Sequence, residues 1–80
     1  MMRVYVKLFA TLRRYAPGAA YGIPFEVDLA DGATIADLIK QLSLPAEEVK
    51  LAFVNARARS EDWHLEPDDE VGIFPPVGGG

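Results

Sequence analysis

The residue best suited to chemistry in this sequence is Gly80, and the group it offers is its own α-carboxylate. The run Phe74-Pro75-Pro76-Val77-Gly78-Gly79-Gly80 explains why. Pro75 and Pro76 fix φ and lack the N–H needed to extend a ladder, so any strand reaching them stops and the chain continues as a stiff extended stem. Gly78, Gly79 and Gly80 then form a tip without side chains, able to enter a channel too narrow for a Cβ and to lie against another protein's backbone. Residues 75–80 are therefore read as a flexible tail. On tail composition alone, a reactive tip and an inert frayed end or cloning scar are equally open readings.

Other side chains offer less. The sequence contains no cysteine, which excludes disulfides, thiolate metal sites and cysteine nucleophiles and fits a reducing, cytoplasmic setting. Any sulfur chemistry would have to leave the side chains. Asp68, Asp69 and Glu70 cluster in one turn without the ligand spacing of a calcium loop, so they read as a solvated turn and no metal is expected. His64 is the single histidine, and neither Ser43 nor Ser60 has a base at a recognisable spacing. Gly78 to Gly80 precede no helix, so no phosphate loop is present. Arg13, Arg14, Arg57 and Arg59 read as solvated faces, or alternatively as the rim of an interface.

The elements that must position the tail follow from patterning. Eighty residues, half of them apolar and a quarter charged, make one domain, 1–80. A chain this short buries only about 60% of its unfolded surface, so its stability is expected to be modest. Val4, Val6 and Leu8 alternate with Arg3, Tyr5, Lys7 and Phe9 as a half-buried first strand. Ala10 to Tyr15 reads as a short helical segment ended by Pro17-Gly18. Phe25, Val27 and Leu29 line one face of a second strand, separated from the first by a loop too long for a tight hairpin but compatible with antiparallel pairing.

Thr34 is an expected N-cap, with Asp37 as its capping-box acid. Ile35, Leu38, Ile39 and Leu42 follow at i, i+3, i+4 and i+7, an apolar stripe that must lie on a sheet. Leu51 to Asn55 is apolar on both faces and reads as a central or well-covered strand, and a short polar strand follows it to Arg59. Trp63 and Leu65 read as inward-facing anchors, Glu66-Pro67-Asp68-Asp69 as a turn, and Glu70 to Phe74 as the last strand. The order β-β-α-β-β predicts an α+β fold, a mixed sheet with one main helix packed on one face.

Parity isolates a surface. If Val4, Val6, Leu8, Val71 and Ile73 pack under the helix, then Tyr5, Phe9 and Phe74 leave the opposite face as an aromatic patch. Such a patch is expected to mark a partner, unless the Ala10 to Tyr15 segment or the loop near Tyr21 folds over it. The net charge is −4 and the basic residues are scattered, so neither nucleic acid nor an anionic membrane is an expected partner. The alternating start is not a signal peptide, and no run is long enough for a transmembrane helix.

Three segments together, Val6-Lys7-Leu8-Phe9-Ala10-Thr11-Leu12-Arg13, Ala52-Phe53-Val54-Asn55 and Asp68-Asp69-Glu70-Val71-Gly72-Ile73-Phe74-Pro75-Pro76-Val77 with its glycines, resemble the MoaD/ThiS family of ubiquitin-like sulfur carriers. Within it they are most similar to the MoaD branch, the small subunits of molybdopterin synthase. The resemblance implies a β-grasp fold and a protein that is not catalytic alone. It matches Gly79 and Gly80 to the terminal diglycine, with Gly80 bearing the thiocarboxylate, and Phe9 and Phe74 to aromatic positions that contact partners. The implied partners are a MoaE-like large subunit of molybdopterin synthase, a MoeB-like adenylyltransferase of the ubiquitin-activating type, and a sulfur donor. No cofactor is implied on this chain, since ATP is used by the activating enzyme.

This sequence departs from the family pattern at Gly78, which makes a triple glycine. It departs again at Asp68, where the family often has glycine, and near Ala58, a small residue where the family has an apolar contact. Within the same class, the sulfur could serve thiamine, a tungsten cofactor or tRNA, or the chain could be a ubiquitin-like protein modifier. From a different class, it could be a noncovalent β-grasp binding module with an inert tail.

Overall fold

The computed structural model describes residues 1–17 and 23–76. Five strands, β1 Met2–Leu8, β2 Phe25–Leu29, β3 Leu51–Val54, β4 Arg57–Arg59 and β5 Glu70–Phe74, form one sheet in the order β2-β1-β5-β3-β4. The β1–β5 pair is parallel and the other neighbours are antiparallel, which makes the sheet mixed. Helix α1, Ile35–Gln41, is the only α-helix among the described residues.

The helix begins where its capping chemistry places it. The Asp37 N–H donates to Thr34 Oγ1 at 3.2 Å, and the Thr34 N–H donates back to Asp37 Oδ2 at 2.9 Å, so two of the otherwise unpaired N-terminal donors are satisfied reciprocally. Hydrogen bonds that Thr34 offers the carboxylate, first from its backbone N–H and then from its side chain, hold the Asp37 carboxyl below its ordinary range. Ile35, Leu38 and Ile39 are buried, and Leu42 packs against the same core. They meet Met2, Val4, Val6 and Leu8 of β1, Val27 and Leu29 of β2, Ala52 and Val54 of β3, and Val71 and Ile73 of β5 in one cluster. Period 3.6 on the helix and period two on the strands thus converge on a single apolar layer.

Ala10–Tyr15 is a 3-10 helix. It folds toward the core and leaves the opposite face open: Leu12 is fully buried in the core cluster and Tyr15 packs against it. A second such turn, Ala46–Glu48, is tied to the first by Arg14 Nη2 and Tyr15 Oη, which donate to the Glu48 carboxylate at 2.7 and 3.0 Å.

Two expectations are corrected. Leu65 is buried, but Trp63 is 39% exposed, with the Arg59 guanidinium 3.9 Å from its ring centroid. The segment makes only an isolated bridge, Thr34 to His64, so no ladder imposes the two-residue parity that would have aimed both side chains inward. Asp69 is buried, not solvated. Its Oδ2 accepts the Glu66 N–H at 2.8 Å and its Oδ1 accepts Asn55 Nδ2 at 2.9 Å, binding the last turn to the β3–β4 hairpin. Among the described residues no helix is long and apolar enough to cross a membrane.

Candidate functional site: the open aromatic face

The face of the sheet away from α1 is built by alternation and register together. Tyr5 and Lys7 on β1 pair with Glu70 and Gly72 on β5, and Gly72 and Phe74 pair with Phe53 and Leu51 on β3. Directly paired residues share a face, so Tyr5, Lys7, Gly72, Phe74, Phe53 and Leu51 all emerge together. Phe9 lies one residue past β1 with extended dihedrals (φ −111°, ψ 152°), and its N–H still donates to the Ile73 carbonyl at 3.1 Å. Its side chain therefore keeps the parity of the strand.

These residues form a platform. The Phe9 and Phe74 rings stack with centroids 4.1 Å apart and planes 7° from parallel, and Phe53 meets Phe74 edge-on at 5.4 Å and 72°. Such pairs contribute about 0.5–1.5 kcal/mol beyond the area they bury. Gly72 makes the stack possible. A Cβ there would lie 3.1 Å from Phe9 Cε2 and 3.6 Å from Phe74 Cε1, so the missing side chain lets Phe9 rest flat on the sheet. Lys7 Nζ stands 5.1 Å from the Phe9 centroid, and with Glu70 it puts one charge of each sign on an otherwise apolar groove of about 690 Å³ that also takes in Tyr5, Pro24 and Ala56.

The tail is rooted in this platform. The Lys50 N–H donates to the Phe74 carbonyl at 2.8 Å, closing the last rung of the sheet, and Pro75 has no N–H with which to make another. Pro75 is half-buried and Pro76 exposed. The remaining tail positions, Val77, Gly78, Gly79 and Gly80, lie outside the described residues, as does Tyr21.

The structure brings Tyr5, Phe9 and Phe74 to one surface. It adds Phe53 and Leu51, the latter 46% exposed. Alternation within β3 could have exposed this pair, because Ala52 and Val54 are the small and branched residues suited to the core. Their nearness to Phe74, however, follows only from the antiparallel register with β5. Ala58 pairs with Phe53 on the same face, so the larger ring stands beside the smaller residue. His64 is occupied structurally, with Nδ1 2.8 Å from the Gly32 carbonyl. Among the described residues no group of three or more histidine, aspartate or glutamate side chains could hold a metal ion.

A five-stranded mixed sheet, one main helix across one face and a chain that leaves the central β5 strand beside an open aromatic surface together define a β-grasp, ubiquitin-like domain of the carrier type. The family model of the ThiS family matches residues 6–80, and the chain belongs to that family.

Among solved structures, a Pyrococcus furiosus protein described as "putative molybdopterin converting factor, subunit 1" is 32% identical, with a TM-score of 0.75 over 96% of this chain and 100% of its own. SAMP1 from Haloferax volcanii is 25% identical, with a TM-score of 0.73 over 98% of this chain and 99% of its own. Another H. volcanii structure, of small archaeal modifier protein 1, is 22% identical with a TM-score of 0.75 over 96% of this chain and 100% of its own, a likeness of fold. A comparison with curated proteins found no match.

Proposed function

We propose that this chain is the sulfur-carrying small subunit of a molybdopterin synthase, acting through the α-carboxylate of Gly80. The observation that carries the proposal is the Phe9–Phe74 stack at the root of the Pro75-Pro76 stem. A partner that covers the rings is directed along the stem toward whatever lies at its tip. The similarity to the P. furiosus protein supports the choice of pathway.

A carboxylate is a poor acyl electrophile, so loading begins with attack of the Gly80 carboxylate on the α-phosphate of ATP, held by a MoeB-like adenylyltransferase, with pyrophosphate leaving. The resulting mixed anhydride has AMP as its leaving group, and sulfide supplied by the donor attacks the acyl carbon and displaces it. The product is a thiocarboxylate, a soft nucleophile ionised at neutral pH. A MoaE-like large subunit then receives the tail, the thiocarboxylate sulfur attacks a carbon of the cyclic pterin precursor and displaces an oxygen leaving group, and water cleaves the acyl–sulfur bond, so the sulfur stays on the pterin and the carrier leaves as its carboxylate. General bases and the ATP site belong to the partners.

Intact mass after incubation with such an adenylyltransferase, ATP and a sulfide source tests the reading. The expected result is exchange of one oxygen for sulfur at Gly80, with Gly80→Ala folding normally but loading poorly. An unchanged mass for the wild-type chain, or wild-type loading by Gly80→Ala, would overturn it. The similarity to SAMP1 favours one second reading, a protein modifier. In that case a lysine amine attacks the same acyl adenylate, and conjugates of higher mass appear where the sulfur carrier gives none.

A further inference from the structure

We propose that the recess between β4 and Trp63 is a second docking site, one that takes a carboxylate-bearing segment of a protein partner, with Arg59 and Arg57 as its receptors. The proposal does not depend on the chemistry of the tail. The hairpin register sets Arg57 opposite Val54 and Arg59 opposite Ala52, so both arginines lie on the α1 side of the sheet, at its edge. The Arg59 guanidinium is fixed there by Trp63, 3.9 Å from the ring centroid, and its Nε is buried without a hydrogen-bond partner. A planar fork held by stacking, with its remaining N–H donors free of internal acceptors, is preorganised for bidentate carboxylate recognition.

Two other arginines are paired within the chain. Arg3 is matched to Glu26 and Asp28, and Arg14 to Glu48. Among the described residues Arg57 and Arg59 form no ion pair, in a chain whose net charge is −4. Two acidic residues, Glu66 and Asp69, also line the recess. Both Asp69 oxygens are committed to Asn55 and to the Glu66 N–H, so that carboxylate is not free to turn toward the arginines. The two negative charges disfavour a phosphate dianion more than a single carboxylate. At about 280 Å³ the recess holds the head of an acidic side chain.

A protein source follows from position. β4 is an edge strand, and Ala58, between the two arginines, faces the opposite side beside Phe53. A partner that grips this edge reaches the aromatic platform and the arginine pair at once.

Trp63 is the only tryptophan, so its emission reports on the site directly. Hexaglutamate titrated into the full chain at low salt is expected to give a saturable change, weakened by about fivefold or more in Arg57→Gln and Arg59→Gln proteins of unchanged melting temperature. Inorganic phosphate is expected to bind more weakly. Because Arg59→Gln itself alters the tryptophan baseline, amide shifts of residues 57–59 provide the second readout. Absence of a saturable change, wild-type affinity in both variants, or phosphate binding as tightly as the peptide would each overturn the proposal.

Discussion

The two faces of the sheet are made from the same five strands and do opposite things. The face under α1 is aliphatic and closed, with Val4, Val6, Ile35, Leu38 and Ile73 fully buried. The other is aromatic and open, and its rings pack on one another and on Gly72 instead of under a second layer. The difference teaches that burial and exposure alternate residue by residue along a strand. A single sheet can therefore commit one half of its side chains to stability and leave the other half available at the surface.

The sharpest way to break this contrast is to cut the closed face. Leu38→Ala is expected to destabilise the fold by about 2–5 kcal/mol, the range for a large-to-small change in a packed core, measured by denaturant unfolding. In a domain this small, much of the chain would be unfolded. A comparable cut on the open face should behave differently. Phe74→Ala is expected to cost about 1 kcal/mol of stability through lost stacking, yet to weaken binding to an activating enzyme or large subunit by more than about 2 kcal/mol, as for a central aromatic anchor. Calorimetric titration beside a melting curve separates the two effects; a loss of stability as large as that of Leu38→Ala would make the platform part of the core.

Smaller effects come from the turns that join the faces. The β3–β4 hairpin closes through Asn55 and Ala56, at φ 50° and 71°, the left-handed pair of a type I′ turn. Asparagine tolerates this region, whereas alanine is strained there. Ala56→Gly is expected to stabilise the protein by about 0.5–1 kcal/mol in denaturant unfolding. Asp68 is a parallel case. It sits at φ 69°, the third position of a turn closed by the Asp69 N–H on the Glu66 carbonyl at 3.2 Å, where type II geometry favours glycine.

The smallest effect is that of pH. The Asp37 carboxyl is held below its ordinary value by the Thr34 bonds, so its folded value lies beneath its unfolded one. Its contribution is complete above the unfolded value and fades as the pH falls through the folded one. Asp37→Asn is therefore expected to be slightly less stable than the parent at pH 7 and equal to it in strong acid, which melting curves across pH check. A difference that persists in acid would mean that the capping bond does not need the charge.

Much of this was legible before any coordinates. Alternation located β1, β2 and β5, and the Thr34 cap with its apolar stripe located α1, because those signals are local and depend on residues within one turn or one strand. Phe9, Phe74 and Tyr5 could be assigned a common face by parity alone. Phe53 and Leu51 could not be joined to them, since which strands are neighbours depends on pairing across 20 or so residues of intervening chain, and a one-residue slip would have moved both to the other face. Trp63 turns outward against the two-residue pattern for the related reason that parity holds only where a ladder enforces it.

The sequence by itself determined the local order of elements, the absence of thiol chemistry and a stem that cannot pair beyond Phe74, because composition and proline geometry need no neighbours to act. Only the tertiary structure decided that Gly72 lies beneath Phe9, that Asp69 fastens two turns together, and that Arg59 rests on Trp63. Each of these is a contact between distant segments, fixed by register and by the space the core leaves. The tail's chemistry belongs to the first kind of information. The surface that would aim it belongs to the second.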